Sequence, residues 1–230
     1  MDTITVRDLA LEEVDTRTLL AHAEQQARRR RYEDFFIVDV DAHHYETQSF
    51  KEICDYIEDP VMREQARYQG YGMGGLTSSA GAYQNLAGRI GRSQRDKMEK
   101  APPWPHRDIT LTKRWMDAMG VDVACMFPAP MLTLGLTPRA EVEVALARAY
   151  NRWLCENVLA QEPRIRATLY LPLNDADATY KMVRDFTGKK GVAGFAVVSP
   201  RYRAIHDNAF VKVWAAIEEA GLPLVFHPGL

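Results

Sequence analysis

The second half of the chain alternates apolar strand patterns with amphipathic helix patterns, and this alternation constrains the fold more than any other feature. Strand patterns lie at residues 121–127, 166–172, 191–198 and 223–228. Helix patterns lie at residues 108–120, 138–160, 175–187 and 208–220. Several of the strands are apolar on both faces, which is typical of a parallel sheet built from βαβ units.

A fifth strand is predicted earlier in the chain, where the apolar run that starts at Phe35 leads into polar residues that end at Glu46. A helix at residues 8–31 precedes it, and Asp108 is the expected N-cap of the helix at 108–120. Residues 47–107 lose regular patterning, apart from short helical stretches at 50–57 and 83–89. The glycine-rich stretch at 70–75 lacks a phosphate-loop pattern, so an active-site loop is predicted instead.

Polar residues collect at the ends of the predicted strands, at Asp41, His43, Ser199 and His227. Barrels of the (β/α)₈ type keep their chemistry at the carboxyl ends of their strands. The predicted fold is therefore an α/β, (β/α)₈ TIM-type barrel, of which this chain contains about the first five strands. An open, doubly wound sheet is the alternative. Truncation after Leu230 is the preferred explanation of the missing strands.

This pattern predicts two domains. An N-terminal helical extension comprises residues 1–34, and a metal-dependent barrel domain comprises residues 35–230. The barrel domain is expected to be incomplete at its carboxyl end. Its loop or lid insertion comprises residues 47–107.

Asp41, His43 and His227 are the candidate ligands of one divalent metal ion, Zn²⁺ or Mn²⁺. Side chains alternate along a strand, so Asp39, Asp41 and His43 are expected on one face. Strand ends of a barrel converge on one mouth, which would bring His227 to the other two ligands. Oxygen and imidazole ligands that leave coordination positions open are typical of catalytic metal sites. Taken alone, each part of the set is also explained by a hydrogen-bonded strand end or loop.

Neighbouring residues have roles that the pattern leaves open. Glu46 is a further candidate metal ligand, or a cap of the following segment. His44 points away from His43 if the strand continues, so it is a structural, supporting or substrate-binding residue. Asp39 is expected to be a buried hydrogen-bond partner.

Composition argues against several other classes of protein. A formal net charge of -2 over 230 residues gives no overall attraction to nucleic acid or to an anionic membrane. Cys54, Cys125 and Cys155 are scattered, which argues against a disulfide framework and suits a reducing compartment. No apolar run approaches the roughly 20 residues that cross a bilayer. With no apolar signal core near the N-terminus, a cytoplasmic location without nucleic-acid or membrane partners is predicted.

Four segments resemble the amidohydrolase superfamily, in particular its branch related to 2-amino-3-carboxymuconate-6-semialdehyde decarboxylase. They are residues 37–43 (IVDVDAH), 119–124 (MGVDVA), 150–151 (YN) and 221–228 (GLPLVFHP). The last is the most specific, because it combines a helix end, a strand and a terminal histidine. That family usually carries His-x-His on its first strand, where this chain has Asp41 and His43. Members similar to γ-resorcylate decarboxylase use a carboxylate there, which favours Mn²⁺ because oxygen ligands suit the harder ion.

The resemblance implies a metal-dependent, nonoxidative decarboxylase of an aromatic or unsaturated carboxylic acid. In such an enzyme the metal would bind the substrate carboxylate and a neighbouring oxygen. A protein acid would protonate the ring or chain carbon, and CO₂ would leave as the C–C bond breaks. The alternatives are a metal-dependent hydrolase of the same fold, acting on a lactone, a C–C bond or an amide, and a noncatalytic barrel relative. The family's later histidine and aspartate, and with them the general acid or base, are expected beyond Leu230.

The expected partner is a small-molecule carboxylate. Arg67, Tyr68 and Tyr71, in the long loop, are candidate groups for binding it. By analogy with barrel relatives, a homo-oligomer is expected.

Overall fold

The computed structural model describes residues 16–44, 49–69, 104–198 and 202–228. Its strands are β1 (Val38–His44), β2 (Val123–Pro128), β3 (Ile165–Tyr170), β4 (Val192–Val198) and β5 (Leu224–His227). Its α-helices are α1 (Thr16–Arg29), α2 (Phe50–Cys54), α3 (Pro60–Gln69), α4 (Arg107–Met119), α5 (Ala140–Leu154), α6 (Ala176–Phe186) and α7 (Val211–Glu219). Short 3₁₀ helices lie at Tyr32–Asp34, Pro130–Leu136 and Asn208–Phe210.

All five strands form one parallel sheet in the order β1-β2-β3-β4-β5. Each strand pairs with the next one along the chain, with a helical connection between them. A doubly wound sheet reverses its strand order partway across, so this topology excludes that alternative. The prediction of a partial (β/α)₈ barrel is confirmed.

The core of this sheet lies between β3 and the helices that follow β2 and β3. Helix α5 contacts β3 and α6, and α6 in turn contacts α7. Leu146, Tyr150 and Trp153 of α5 are completely or almost completely buried, as are Leu169 of β3 and Phe195 of β4. The apolar spacing that predicted these helices therefore marks the faces that pack on the sheet.

Helix α5 is shorter than the predicted helix at 138–160, because its hydrogen-bonding pattern changes after Leu154. Residues Cys155–Leu159 form one π-helical turn before the chain leaves for β3. Sequence periodicity does not distinguish such a turn from a continuing α-helix, since both are helical and both bury apolar residues here.

The apolar run before β1 is not part of the strand. Phe35 and Phe36 are 63% and 77% exposed, and β1 begins only at Val38. A 3₁₀ turn at Tyr32–Asp34, entered through Arg31 with φ of 54°, occupies the preceding residues. Strand propensity alone predicts a strand that starts at Phe35, whereas the strand in the structure starts three residues later, after the local turn.

Helix α4 begins one residue earlier than predicted, and its N-cap is His106. The Nδ1 atom of His106 accepts a hydrogen bond from the backbone N–H of Asp108, at 3.1 Å. The expectation that Asp108 is the N-cap is therefore wrong. A ring nitrogen can serve as the cap acceptor in place of a carboxylate.

The described part of residues 47–107 contains a helix that was not predicted. Helix α2 occupies part of the expected stretch at 50–57, and α3 was not predicted. In helix α3, Ala66 is the one buried residue. The predicted helix at 83–89 and the glycine-rich stretch at 70–75 lie outside the described residues.

The chain divides into two compact units. One comprises Met1–Ile37 and Gly81–Asp122, and the other comprises Val38–Ala80 and Val123–Leu230. The whole sheet belongs to the second unit. The division into residues 1–34 and 35–230, with a lid at 47–107, stays a prediction.

The described part of the first unit is organised around the contact between α1 and α4. Gly120 ends α4 with a φ of 70°, and a Cβ there would lie 3.1 Å from Cβ of Tyr32. Both the backbone conformation and the close approach require glycine at this position.

Within the described ranges, every helix is too short or too polar to cross a bilayer.

Candidate metal centre

The carboxyl end of β1 contains a break in the regular strand pairing. Its register against β2 shifts between Asp39 and Ala42, so side chains do not alternate simply across this stretch. The carboxylate of Asp39 accepts a hydrogen bond from the backbone N–H of Asp41, at 3.0 Å. The expectation that Asp39, Asp41 and His43 share one face of a regular strand stays a prediction, because the register shift falls within this stretch.

Asp41, His43 and His227 meet at one point, and we call this set the strand-end cluster. The Nε2 atom of His227 lies 3.1 Å from Oδ1 of Asp41 and 3.2 Å from Nε2 of His43. The third side of the triangle, from His43 Nε2 to Asp41 Oδ1, is 3.5 Å. Neighbouring ligands held about 2.1 Å from one divalent ion are themselves about 3.0–3.4 Å apart.

The curvature of the sheet brings this cluster together. β1 and β5 are four strand spacings apart, which would be about 19 Å in a flat sheet. Side chains of Asp41 and His227 nevertheless come within 3.1 Å. The strand ends must curve toward one another, as they do in a barrel.

The backbone beside His227 selects the tautomer of its neutral ring. Its Nδ1 atom lies 2.6 Å from the carbonyl oxygen of Pro228, which can only accept a hydrogen bond. The neutral ring therefore carries its proton on Nδ1, and the lone pair of Nε2 points into the cluster. This is the arrangement of a metal-binding histidine whose second nitrogen donates to a carbonyl group.

Burial is uneven around the cluster. Only 5% of the His43 side chain and 7% of the His227 side chain are exposed, against 67% for Asp41. The ring of Phe127 lies 4.7 Å from that of His227 and 6.4 Å from that of His43, between centroids. The cluster therefore has an apolar wall on the histidine side and an open side at the carboxylate.

The donor set fits a divalent cation. A carboxylate oxygen and two imidazole nitrogens lie 3.1–3.5 Å from one another, and each of them can give a lone pair to a cation. One divalent ion could therefore be held by all three atoms at once. Because one side is open, such an ion would keep coordination positions for a substrate or for water.

The other predicted site residues lie elsewhere or outside the described ranges. His44 is buried, its Nδ1 lies 3.1 Å from the hydroxyl of Tyr150, and its ring stacks on Trp153 at 5.5 Å. Arg67 pairs with Asp55 and Glu64, and Tyr68 is 93% exposed. Glu46 and Tyr71 lie outside the described residues. The roles suggested for these residues stay predictions.

Two features near the strand ends were not found from the sequence. One is the Phe127 wall, which looks like any other apolar strand residue in the pattern of β2. The other is Glu143, a carboxylate on the buried side of α5 that is 1% exposed. The available signal was its position four residues before Ala147 and seven before Tyr150, both buried on that side.

Comparisons with known proteins bear on family and fold. A family model described as amidohydrolase matches residues 38–230. No curated protein matches the chain in sequence.

Two solved structures illustrate the similarity in fold. One is 5-carboxyvanillate decarboxylase from Novosphingobium aromaticivorans, complexed with manganese and 4-hydroxy-3-methoxy-5-nitrobenzoic acid. Its TM-score is 0.54 and its sequence identity is 17%, and the match covers 85% of this chain and 51% of that chain. The other is a 2,6-dihydroxybenzoate decarboxylase complexed with 2,6-dihydroxybenzoate, with a TM-score of 0.50 and 17% identity over 84% of this chain and 49% of that chain. The chain spans about half the length of these structures.

Proposed function

The chain belongs to the amidohydrolase family, and we propose on that basis that it acts as a metal-dependent, nonoxidative decarboxylase of an aromatic or unsaturated carboxylic acid. The observation that carries the proposal is the convergence of Asp41, His43 and His227 within 3.5 Å of one another. The similarity in fold to decarboxylases of two aromatic carboxylates supports the choice of reaction.

The strand-end cluster would hold one divalent ion through Asp41 Oδ1, His43 Nε2 and His227 Nε2. Bound there, the ion would supply Lewis-acid charge to the carboxylate and the neighbouring oxygen of a substrate. Mn²⁺ is proposed ahead of Zn²⁺, because Asp41 contributes an oxygen ligand and the similar 5-carboxyvanillate decarboxylase is complexed with manganese.

The chain's own residues would orient the substrate and limit water. The buried rings of His43 and His227 hold their nitrogens in fixed positions, because a packed ring has little rotamer freedom. Phe127, whose ring packs on that of His227, would limit the access of water from the histidine side. The exposed carboxylate of Asp41 leaves the opposite side accessible to a planar carboxylic acid.

A hydrolase of the same fold is the second candidate. The open side at Asp41, which is 67% exposed, is as accessible to water as it is to a carboxylate. In that case an ion in the same site would lower the pKa of a bound water toward about 7.

Elemental analysis and product analysis together test these proposals. The wild-type chain should bind Mn²⁺ or Zn²⁺ at a ratio of about one ion per chain, as in other mononuclear sites. Asp41→Ala and His43→Ala should lose the ion, while His206→Ala, which changes an exposed histidine, should retain it. Retention of full metal content by the first two variants would exclude the cluster as the binding site.

Product analysis separates the two reactions. A panel of aromatic carboxylates and lactones should yield CO₂ from the carboxylates if the chain is a decarboxylase. Water addition to lactones without CO₂ release would identify the hydrolase. Stoichiometric metal with neither reaction would support a noncatalytic relative.

A further inference from the structure

We propose that Glu143 is a positioning residue for the candidate metal centre. It fixes the loop that follows Phe127, the residue that forms the apolar wall of the strand-end cluster. This loop, residues 129–139, joins β2 to α5, and we call it the β2–α5 loop. The inference rests on the proposed function and adds a residue to it: Glu143 would define one side of the space for a substrate carboxylate.

The β2–α5 loop starts at the strand-end cluster. Phe127 packs on the ring of His227 and lies opposite His43 in the register of β1 and β2. Two residues later, the backbone N–H of Ala129 donates to the carbonyl oxygen of His44, at 2.9 Å. The first residues of the loop are therefore bound to the strand that carries two of the candidate metal ligands.

The far end of the loop is held by side chains from the next two connections. Nδ2 of Asn174, in the connection after β3, donates to the carbonyl oxygens of Gly135 at 3.2 Å and Thr137 at 3.5 Å. The hydroxyl of Tyr202, after β4, donates to the carbonyl oxygen of Leu136 at 2.6 Å. The loop is packed between these anchors, since Met131, Leu132 and Leu134 are buried.

Glu143 holds Asn174 in place. Its Oε2 accepts a hydrogen bond from the backbone N–H of Asn174 at 3.0 Å, and its Oε1 accepts one from the hydroxyl of Tyr170 at 2.7 Å. The order of contacts is therefore Glu143 to Asn174, Asn174 to the β2–α5 loop, and the loop to the wall of the cluster.

A carboxyl group is a costly choice for this buried position. Burial raises the pKa of Glu143 to about 7, although the hydrogen bonds from Tyr170 and Asn174 favour the charged form. An apolar side chain of similar size would avoid that cost but could not accept either hydrogen bond. The Glu143 carboxyl group therefore favours one arrangement of the β2–α5 loop, and its burial lowers the free energy of unfolding.

The charged and titratable groups on the elements around Glu143 are engaged as follows. Tyr170 donates to Glu143 itself, and burial raises its pKa well above the ordinary value. Asp175, next to Asn174, accepts from the backbone N–H of Ala178. Arg139 pairs with Glu141 at the start of α5. The loop's 3₁₀ helix, Pro130–Leu136, has no charged residue.

Hydrogen exchange on the full chain loaded with Mn²⁺ tests the inference without any substrate. Glu143→Leu should lower the protection of amides in residues 129–139 by about tenfold or more, as expected for the loss of a charge-assisted hydrogen bond. Glu143→Gln should keep most of this protection, because its side-chain oxygen can still accept from Asn174. Asn174→Ala, which removes the donor to the loop, should reproduce the effect of Glu143→Leu.

Glu141→Gln is the matched control, since Glu141 lies in the same helical turn but is exposed and pairs with Arg139. It should leave the loop unchanged. Unchanged protection of residues 129–139 in both Glu143→Leu and Asn174→Ala would overturn the inference, whatever the chain's activity.

Ligand binding separates positioning from a purely structural role. Binding of 2,6-dihydroxybenzoate to the Mn²⁺-loaded chain should weaken about tenfold in Glu143→Leu, because the hydrogen bond from Asn174 is lost. Binding should recover in Glu143→Gln, because the amide oxygen can accept that hydrogen bond again. Mn²⁺ affinity should stay within about twofold, because the ligands of the ion are unchanged. Looser loop amides with unchanged dihydroxybenzoate affinity would show that Glu143 is structural only.

The two proposals fail in different experiments. If the wild-type chain binds Mn²⁺ but no dihydroxybenzoate, 2,6-dihydroxybenzoate is excluded as its substrate, and the exchange experiment still decides whether Glu143 fixes the β2–α5 loop.

Discussion

At the scale of single residues, the immediate surroundings decide what each polar side chain can do. His227 and His44 are both buried histidines at strand ends. The carbonyl of Pro228 directs the Nε2 lone pair of His227 toward Asp41 and His43. Tyr150 and Trp153 of α5 instead contact the ring of His44, which therefore lies between β1 and that helix.

His227→Ala should remove divalent-metal affinity while leaving the fold intact. Loss of residues that only support a metal ligand costs about 10–100-fold in affinity, so loss of a ligand should cost at least about 100-fold. The unfolding free energy without metal should fall by about 1–2 kcal/mol, because the buried ring that is lost packs on Phe127 at the end of the strand. Calorimetric titration with Mn²⁺ and urea denaturation measure the two effects. Unfolding of the variant without any change in metal affinity would contradict the assignment.

Glu143 predicts a pH dependence of stability. Its pKa in the folded chain is raised from 4.5 to about 7 by burial, so the folded state binds a proton more tightly than the unfolded state. The stability from this group is complete below about pH 4.5 and is lost as the pH rises through about 7. The loss is on the order of 3 kcal/mol.

Glu143→Gln should remove this part of the pH dependence, because the amide does not titrate. Urea denaturation of both proteins at pH 5 and pH 8 measures it. The variant should lose less unfolding free energy than the wild-type chain between these two values. Parallel losses would show that the Glu143 carboxyl does not titrate in this range.

At the scale of secondary structure, close backbone approaches limit which residues the strands can carry. Gly194 lies in β4 beside the start of β5, where the backbone N–H of Phe195 donates to the carbonyl oxygen of Pro223 at 3.0 Å. A Cβ at Gly194 would lie 2.6 Å from that same oxygen. The pairing of β4 with β5, and therefore the position of His227, depends on the missing side chain.

Gly194→Ala should destabilise the chain by about 1–3 kcal/mol, because the backbone of β5 must move to relieve the overlap. For a chain of this size, that corresponds to a melting temperature lower by several degrees. Mn²⁺ affinity should fall as well, since β5 carries His227. An unchanged melting temperature would mean that the two strands adjust without cost.

At the scale of the whole sheet, the candidate metal site joins strands that do not pair with one another. Asp41 and His43 come from β1, and His227 comes from β5, at the other end of the strand order. A metal ion bound by all three would therefore link the two outer strands of the described sheet. Its binding energy would add to the stability of the folded state, because the ligands are brought together only there.

Mn²⁺ should raise the thermal stability of the wild-type chain. At a free concentration 100 times the dissociation constant, the expected gain is about 2.7 kcal/mol. Differential scanning calorimetry with Mn²⁺ and with a chelator measures the gain. Asp41→Ala should show none of it and His206→Ala all of it. An equal gain in Asp41→Ala would place the binding site elsewhere.

The sequence by itself determined the class of the fold and the identity of the candidate ligands. Alternating strand and helix patterns are local properties, and they gave the five strands and the α-helices that connect β2 to β5. Local patterning failed where a neighbour overrides it, as at Phe35, at the N-cap of α4 and in the π-helical turn after Leu154.

The tertiary structure alone decided how closely the predicted ligands Asp41, His43 and His227 approach one another. A gap of 186 residues separates Asp41 from His227, and only the curvature of the sheet places their side chains 3.1 Å apart. The tertiary structure also places the register shift of β1 after Asp39 and turns His44 toward α5. It buries Glu143 against Tyr170 and Asn174. These facts depend on which surfaces face one another, and one-dimensional periodicity does not contain that information.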